Sequence, residues 1–236
     1  MTTGSTEAAS ARRTAQPTAP QHGSRRSVAP LFGVVVIAAF LTAQALGVSD
    51  EPAADASAAD AVAYWSDHAD KEMLISTLFA VSSAALIVFG VALRDALREL
   101  GGGVDRLASI AWAGTVVAAT GIMTIVSITF TAADTAGSVA PEVTQTLSAL
   151  NQDFFFPMAA GFALMLIASG SAATRLRGLS RWFGWGSIVL GVTLFTPAGL
   201  VGYYATPVWV LVVSLAMYRR PAGSRLVLRA AEQEAT

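Results

Sequence analysis

The chain has 236 residues, of which 54% are hydrophobic and only 13% are charged, and its formal net charge is −1. Soluble domains average about 25% charged residues, so this composition excludes an ordinary soluble domain and indicates a membrane protein. The complete lack of cysteine excludes disulfides, thiolate metal ligands and a cysteine nucleophile.

Residues 1–29 are rich in Ser, Thr, Ala, Pro, Gln and Arg and show no apolar periodicity. Such a segment buries too little apolar surface to offset the loss of chain entropy, so we predict a disordered cytoplasmic tail. A cleaved signal peptide is the alternative, because Ala43-Gln44-Ala45 resembles a small-x-small cleavage site. The long leading region and the long apolar stretch that contains this site disfavour cleavage.

Apolar stretches long enough for a helix to cross a bilayer follow one another along the rest of the chain. The first four contain no Asp, Glu, Lys or Arg. Backbone groups in lipid must satisfy one another, so these stretches are predicted helices, and the short alternating segments of a β-barrel are absent. The predicted spans cover about residues 30–48, 73–93, 107–132, 154–173, 182–197 and 200–218.

The last apolar stretch, residues 182–218, is divided here into two spans. As a single helix it would extend about 55 Å, far beyond the bilayer core. Pro197 and Pro207, with Gly199 and Gly202, supply helix breakers near its middle. Arginines stand at both of its ends, so both ends are expected on the same side of the membrane, which requires an even number of crossings.

The distribution of basic residues predicts the orientation. The outer connections of the six-span arrangement carry a single basic residue, Lys71. Cytoplasmic loops of membrane proteins are enriched in Lys and Arg, so we predict an all-α polytopic bundle in the plasma membrane with both termini cytoplasmic, residues 221–236 forming the second tail. The predicted inner connections carry Arg94, Arg98, Arg106, Arg175, Arg177 and Arg181.

Several motifs resemble those of a broad group of uncharacterised bacterial integral membrane proteins that is common in actinobacteria and is known only as a domain of unknown function. The motifs are Ala61-Val62-Ala63-Tyr64-Trp65-Ser66-Asp67-His68, Arg181-Trp182-Phe183-Gly184-Trp185, Pro207-Val208-Trp209-Val210-Leu211-Val212-Val213-Ser214 and the closing Arg219-Arg220. The resemblance covers roughly residues 30–220. It implies a compact multi-helix membrane domain and brings no catalytic or binding residues.

The first outer connection is predicted to contain a short interfacial helix within residues 54–71. Asp55 is the expected N-cap, and Asp67 and Lys71 are spaced to pair on one helix face. Tyr64 and Trp65 are expected at the lipid headgroups, where amphipathic aromatic side chains are enriched.

The same connection holds the candidate metal ligands Asp67, His68, Asp70 and Glu72. On a continuous helix Asp67 and Asp70 share one face, and His68 and Glu72 share a neighbouring one. Carboxylate and imidazole groups bind divalent cations, which makes this a candidate metal site. An acidic, solvated helix surface is the simpler interpretation, because neither an HExxH motif nor EF-hand spacing is present.

The second outer connection is predicted to form a short helix over residues 141–150, with Pro141 in its first turn. Asn151 and Asp153 follow it and are candidate contacts for a ligand at the outer face. Capping of the fourth transmembrane helix by Asp153 is the structural alternative.

Polarity within the predicted spans comes from hydroxyl side chains and Gln44. Ser and Thr in membrane helices usually bond to helix carbonyls, and small pairs such as Gly114 with Ala118 allow helices to approach closely. Similar pairs are Ala159 with Ala163 and Ser187 with Gly191.

Three functional hypotheses follow. The first is a structural, regulatory or partner-binding membrane protein without catalysis, whose partners are the lipid bilayer and a protein or second copy, but no nucleic acid. The second is a small-molecule transporter or sensor, which requires the polar side chains to converge on one cavity. The third is an outer-face metal-dependent enzyme. No cofactor is predicted, because phosphate-binding loops and intramembrane histidine pairs are absent from the sequence.

Overall fold

The computed structural model describes residues 28–47, 52–53, 55–101, 103–175 and 181–219, and this part of the chain contains eight α-helices and no β-strand. The all-α prediction is therefore confirmed for the described residues. The predicted tails lie almost wholly outside them, as does Arg177. The helices are α1 (Phe32–Ala45, preceded by a 3-10 turn, Ala29–Leu31), α2 (Ala58–Asp67), α3 (Ala69–Glu99), α4 (Asp105–Thr135), α5 (Pro141–Asp153), α6 (Phe155–Arg175), α7 (Arg181–Thr193) and α8 (Gly199–Arg219).

Four helical stretches are long and apolar enough to cross a membrane: α3, α4, the combined α5–α6 stretch Pro141–Arg175, and α8. α3 and α4 have 31 residues each, which corresponds to about 46 Å of helix. α1 and α7 are shorter, with 14 and 13 residues. The architecture is thus that of a membrane helical bundle in which four stretches meet the length of a full span.

The helix boundaries differ from the predicted span boundaries. α7 ends at Thr193, before the predicted end of the fifth span at Pro197, and residues 194–198 form turns before α8. α3 extends beyond the predicted span on both sides and stops before Gly101, whose φ of +69° suits glycine. Hydropathy marks the part of a helix that prefers lipid and carries no information about helical turns that continue into water.

Six helices form a closed ring in which each packs against its neighbours in the order α1, α3, α4, α6, α7, α8 and back to α1. Neighbouring helices are antiparallel: for example, Gly33 at the start of α1 lies beside Ser214 near the end of α8, whereas Gln44 at the end of α1 donates a hydrogen bond to Tyr204 near the start of α8. The ring encloses an apolar core, to which α1, α3, α4, α6 and α8 contribute buried side chains. Phe89, Met165 and Val210 are among the fully buried ones.

The contact between α4 and α6 depends on glycine. A Cβ atom on Gly114 would lie 2.5 Å from the backbone nitrogen of Met165, and one on Gly161 would overlap the backbone nitrogen of Ala118. Real Cβ atoms do not approach backbone this closely, so the two helices touch backbone to backbone. The close approach predicted from Gly114 and Ala118 is confirmed, whereas its partner Gly161 was not predicted.

The antiparallel ring gathers the described arginines at one of its two ends. The arginine-rich end consists of Arg94, Arg98, Arg106, Arg175, Arg181 and Arg219, all near helix termini that lie at the same end of the ring. The acidic end consists of α2, α5 and the first turn of α3, which carries Asp70 and Glu72. This separation places the candidate functional residues together at one end.

Candidate functional site at the acidic end

The helices α2 and α5, with residues 52–53 and 55–57 before α2, form a folded cap at the acidic end. Ser57 is the N-cap of α2. Its hydroxyl accepts a hydrogen bond of 3.2 Å from the backbone N–H of Asp60 and donates one of 2.6 Å to the carboxylate of Asp60. The predicted N-cap at Asp55 is therefore wrong. Ser57 and Asp60 have the reciprocal spacing of a capping box, which stabilises the helix start better than a cap two residues earlier.

The two connecting segments meet across the cap. The predicted helix after Pro141 is confirmed, and it continues to Asp153 as α5. Gln145 donates a hydrogen bond of 2.7 Å to the carbonyl of Ala56, and Gln152 donates one to the carbonyl of Pro52. These amide contacts attach the segment before α2 to the side of α5.

The cap has its own small apolar core. Trp65 is fully buried and Tyr64 nearly so, and both pack with Ala61 of α2 and with Ala132 and Ala133 of α4. The predicted position of these two aromatic side chains at the lipid headgroups stays a prediction, but protein covers both of them. Their apolar surface is covered by the end of α4, which holds α2 against the bundle.

Glu72 is the one candidate ligand that the structure buries, with 6% of its surface exposed. The Tyr64 hydroxyl donates a hydrogen bond of 2.7 Å to Oε1 of Glu72. His68 stacks on the Tyr64 ring with a centroid separation of 4.7 Å, and its Nδ1 lies 3.0 Å from the Tyr64 carbonyl oxygen. A buried carboxylate requires hydrogen-bond donors, and the Tyr64 hydroxyl meets that requirement from the neighbouring helix.

A helix break at His68 separates the other candidate ligands. The residue has φ −114° and ψ 12°, so Asp67 ends α2 whereas Asp70 belongs to α3. The break therefore separates Asp67 from Asp70, whose predicted shared face assumed one continuous helix, whereas His68 and Glu72 keep their i,i+4 relation, since the Glu72 N–H donates to the His68 carbonyl at 2.9 Å. Within the described residues no group of three or more His, Asp or Glu side chains is arranged to hold a metal ion, and the expected Asp67–Lys71 ion pair is also absent there.

The second pair of candidates has a structural environment. Asn151 Oδ1 accepts a hydrogen bond of 2.9 Å from the Thr129 hydroxyl, which connects α5 to α4. Asp153 is the last residue of α5, and α6 begins at Phe155. The predicted role of the Asp153 side chain, in capping or in ligand contact, lies outside the described side chains.

Three buried polar atoms of the cap lack a hydrogen-bond partner: Trp65 Nε1, Thr144 Oγ1 and Ser148 Oγ. Thr144 is fully buried and Ser148 is 3% exposed. Thr144 and Ser148 are one turn apart, so α5 turns a polar face toward the cap interior. Neither residue was predicted from the sequence, although their i,i+4 spacing on the predicted helix is a visible signal.

Hydroxyl groups inside the long helices do not converge on a common cavity. Some bond to neighbouring helices: Ser82 donates to the carbonyl of Val36 at 3.2 Å, and Gln44 donates to the Tyr204 hydroxyl at 3.1 Å. Others bond to the carbonyl four residues earlier in their own helix, namely Thr77, Thr115, Thr120, Thr124 and Ser127. This scattered arrangement is the one expected of packing and opposes a polar transport path.

Taken together, the fold and the cap define a helical membrane-bundle protein with a folded extension at one end. Comparison of the chain with protein-family models, with curated proteins and with solved structures finds no match.

Proposed function

We propose that the chain is a bacterial plasma-membrane protein with six spans and both termini in the cytoplasm, as in the group that it resembles. Two features support this topology. The six ring helices alternate in direction, and the described arginines gather at the end that the charge rule assigns to the cytoplasm. The helices α1 and α7 are shorter than the hydrocarbon core is thick, so the bilayer thins locally around them, as it does around other short transmembrane helices.

The topology can be tested by labelling single cysteines, because the natural chain has none. Ser66→Cys in the cap and Ala198→Cys between α7 and α8 are expected to react with a membrane-impermeant thiol reagent on intact cells. Glu99→Cys at the arginine-rich end is the control and should react only after permeabilisation. Labelling of Glu99→Cys on intact cells would contradict the proposed orientation, and protection of Ala198→Cys alone would contradict the six-span count.

We further propose that the protein is not catalytic and acts by binding a protein partner within the membrane. The observation that carries this proposal is the use of the in-span hydroxyls: most of them bond to helix carbonyls or to neighbouring helices, and the buried Ser76 and Ser169 hydroxyls, which lack a partner, stand on different helices, α3 and α6. Transport needs a common polar cavity and usually ionisable groups at depth, and the long apolar stretches lack the latter.

The partner surface is assigned to the exposed face of α4. Thr120, Thr124, Ser127 and Thr131 recur there every three or four residues, and each hydroxyl donates to its own helix, leaving small, weakly polar surfaces. A groove of about 260 Å³ lies beside Thr120 and Thr124, between α4 and Pro157 of α6. Small side chains with a groove suit close contact with another helix, and a second copy of the chain is the partner proposed.

Photocrosslinking in native membranes tests this assignment. A photoreactive amino acid in place of Thr120 is expected to give an adduct of twice the monomer mass. The matched control is the same replacement at Val189, which is 59% exposed on α7. Equal yields of adduct from both positions would indicate random collision and contradict the assigned surface. An adduct of any other mass would show that the partner is a different protein and not a second copy.

A sensor of small molecules is the second candidate, favoured by the three unpartnered polar atoms inside the cap. A ligand that hydrogen-bonds to them would stabilise the folded state, by about 2.7 kcal/mol at 100 times its dissociation constant. A thermal-unfolding screen of the purified protein against polar metabolites tests this. Stabilisation that persists in Thr144→Val would place the ligand elsewhere. Divalent cations in the same screen, with Asp67→Ala and His68→Ala, test the metal-enzyme hypothesis.

A further inference from the structure

At the arginine-rich end, Arg94 of α3 lies over the indole of Trp112 in α4, with its Cζ 5.6 Å from the ring centroid. Arg94 directly follows the apolar stretch of α3, and Trp112 stands seven residues into α4. Side chains on a helix lean toward its N-terminus, so Arg94 leans toward the apolar part of the bundle and not away from it. Its cation is therefore held at the apolar boundary.

Within the described residues, Arg94 has no acidic partner. The single ion pair of this part of the chain joins Arg98 to Asp105, with 3.7 Å between Nε and Oδ1. Arg94 Nε is buried and has no hydrogen-bond partner. Asp95 and Glu99 lie further round α3 on its exposed side, away from the face that Arg94 presents to α4. A guanidinium at an apolar boundary without a counter-charge is costly, so an anion from outside the chain would stabilise it.

The surroundings match a lipid better than a freely soluble anion. Arg98 donates a hydrogen bond of 3.2 Å to the Ser109 hydroxyl. Ser109 also lines a groove of about 390 Å³ with Asp105, Arg106 and Ile110. Ile110 is 40% exposed beside these charged residues. The groove thus places the cationic Arg106 and the exposed apolar surface of Ile110 close together, and a phospholipid would meet both with its phosphate and acyl chain.

We propose that Arg94, positioned by Trp112 and flanked by Arg98, binds the phosphate of an anionic phospholipid at the arginine-rich end of the bundle. The phosphate accepts hydrogen bonds from the guanidinium, and one acyl chain lies against Ile110. Arg98 remains partly engaged by Asp105, so Arg94 supplies most of the uncompensated charge. The proposal does not depend on how the acidic end functions.

The test uses the full-length chain in phosphatidylcholine bilayers that contain a minor fraction of spin-labelled phosphatidylglycerol or spin-labelled phosphatidylcholine. The preference for phosphatidylglycerol is the ratio of the two association constants. Arg94→Gln is expected to lower this ratio by about fivefold, the effect of one membrane-surface arginine on an anionic lipid. Arg181→Gln, which removes an exposed arginine at the same end, is the matched control and should leave the ratio unchanged.

Trp112→Leu is the second variant, because it keeps every charge and removes only the ring beneath Arg94. It should lower the ratio by about two- to fivefold, the value of one cation–π contact. Equal losses in Arg94→Gln and Arg181→Gln would overturn the proposal in favour of diffuse attraction, and so would an unchanged ratio in both Arg94→Gln and Trp112→Leu. Displacement of the labelled lipid by millimolar inorganic phosphate would identify a site for soluble phosphate instead of a lipid.

Discussion

The Tyr64 hydroxyl, on the cap helix α2, donates a hydrogen bond of 2.7 Å to the buried carboxylate of Glu72, in the first turn of α3. The bond spans the break at His68 and joins the two helices. Burial of Glu72 makes loss of this bond costly, because the acceptor oxygen would be left without the Tyr64 donor.

Removing the donor from this pair should destabilise the protein. Tyr64→Phe leaves the Glu72 carboxylate buried without the phenol, so we expect the free energy of unfolding to fall by about 1–3 kcal/mol. Tyr218→Phe, at a more exposed tyrosine on α8, is the control and should change it little. Denaturant titration in detergent measures both. Equal effects of the two substitutions would show that the bond contributes no net stability.

The backbone contact between α4 and α6 makes Gly161 intolerant of a side chain. Gly161→Ala places a methyl group against the backbone of Ala118, so the helices must separate and the melting temperature should drop. Gly186→Ala is the matched control on α7, because nothing lies within 4 Å of its new Cβ and alanine favours a helix by about 1 kcal/mol over glycine. A melting temperature that is the same in both variants would contradict the close contact.

Ser187 connects α7 to α8 by accepting a hydrogen bond of 2.7 Å from Trp209 Nε1. Ser187→Ala leaves the buried indole N–H without a partner, and the expected loss is about 1–3 kcal/mol of unfolding free energy. Ser127→Ala removes an exposed hydroxyl that bonds only to its own helix, and it should be nearly neutral. The summed fluorescence of the five tryptophans gives a second readout, since loss of the bond changes the surroundings of Trp209 and should shift the emission in Ser187→Ala alone.

Substitution of Thr144 should stabilise the protein, whereas the substitutions of Tyr64, Gly161 and Ser187 should destabilise it. The Thr144 hydroxyl is buried in the cap without a partner, so Thr144→Val should raise the free energy of unfolding by about 1–3 kcal/mol. Thr146→Val is the control on the same helix, because the Thr146 side chain is exposed and bonds to the carbonyl of Glu142 at 2.7 Å. Thermal unfolding without added ligand is the measurement. Destabilisation by Thr144→Val would indicate that a bound molecule uses this hydroxyl.

The candidate metal ligands at the acidic end show why the sequence alone could not predict how these side chains are arranged. The i,i+3 relation of Asp67 to Asp70 holds on a continuous helix, but the chain turns at His68 so that Trp65 and Tyr64 can pack against the end of α4. Burial of these aromatic side chains offsets the helical hydrogen bonds lost at the turn. No local pattern around His68 announces the break, because the driving contacts come from Ala132 and Ala133, more than 60 residues away.

The sequence by itself determined the membrane class, the helical state of the described segments and the sorting of arginines to alternate connections. Each of these depends on local composition, since lipid selects apolar helices and insertion responds to nearby charge. The tertiary structure alone decided the order of helices in the ring, the partner of Gly114, the burial of Glu72 and the stacking of Arg94 on Trp112. The spacing of residues along a helix shows which of them share a face. Which faces of two helices pack together depends on the shapes of side chains that are distant in the chain.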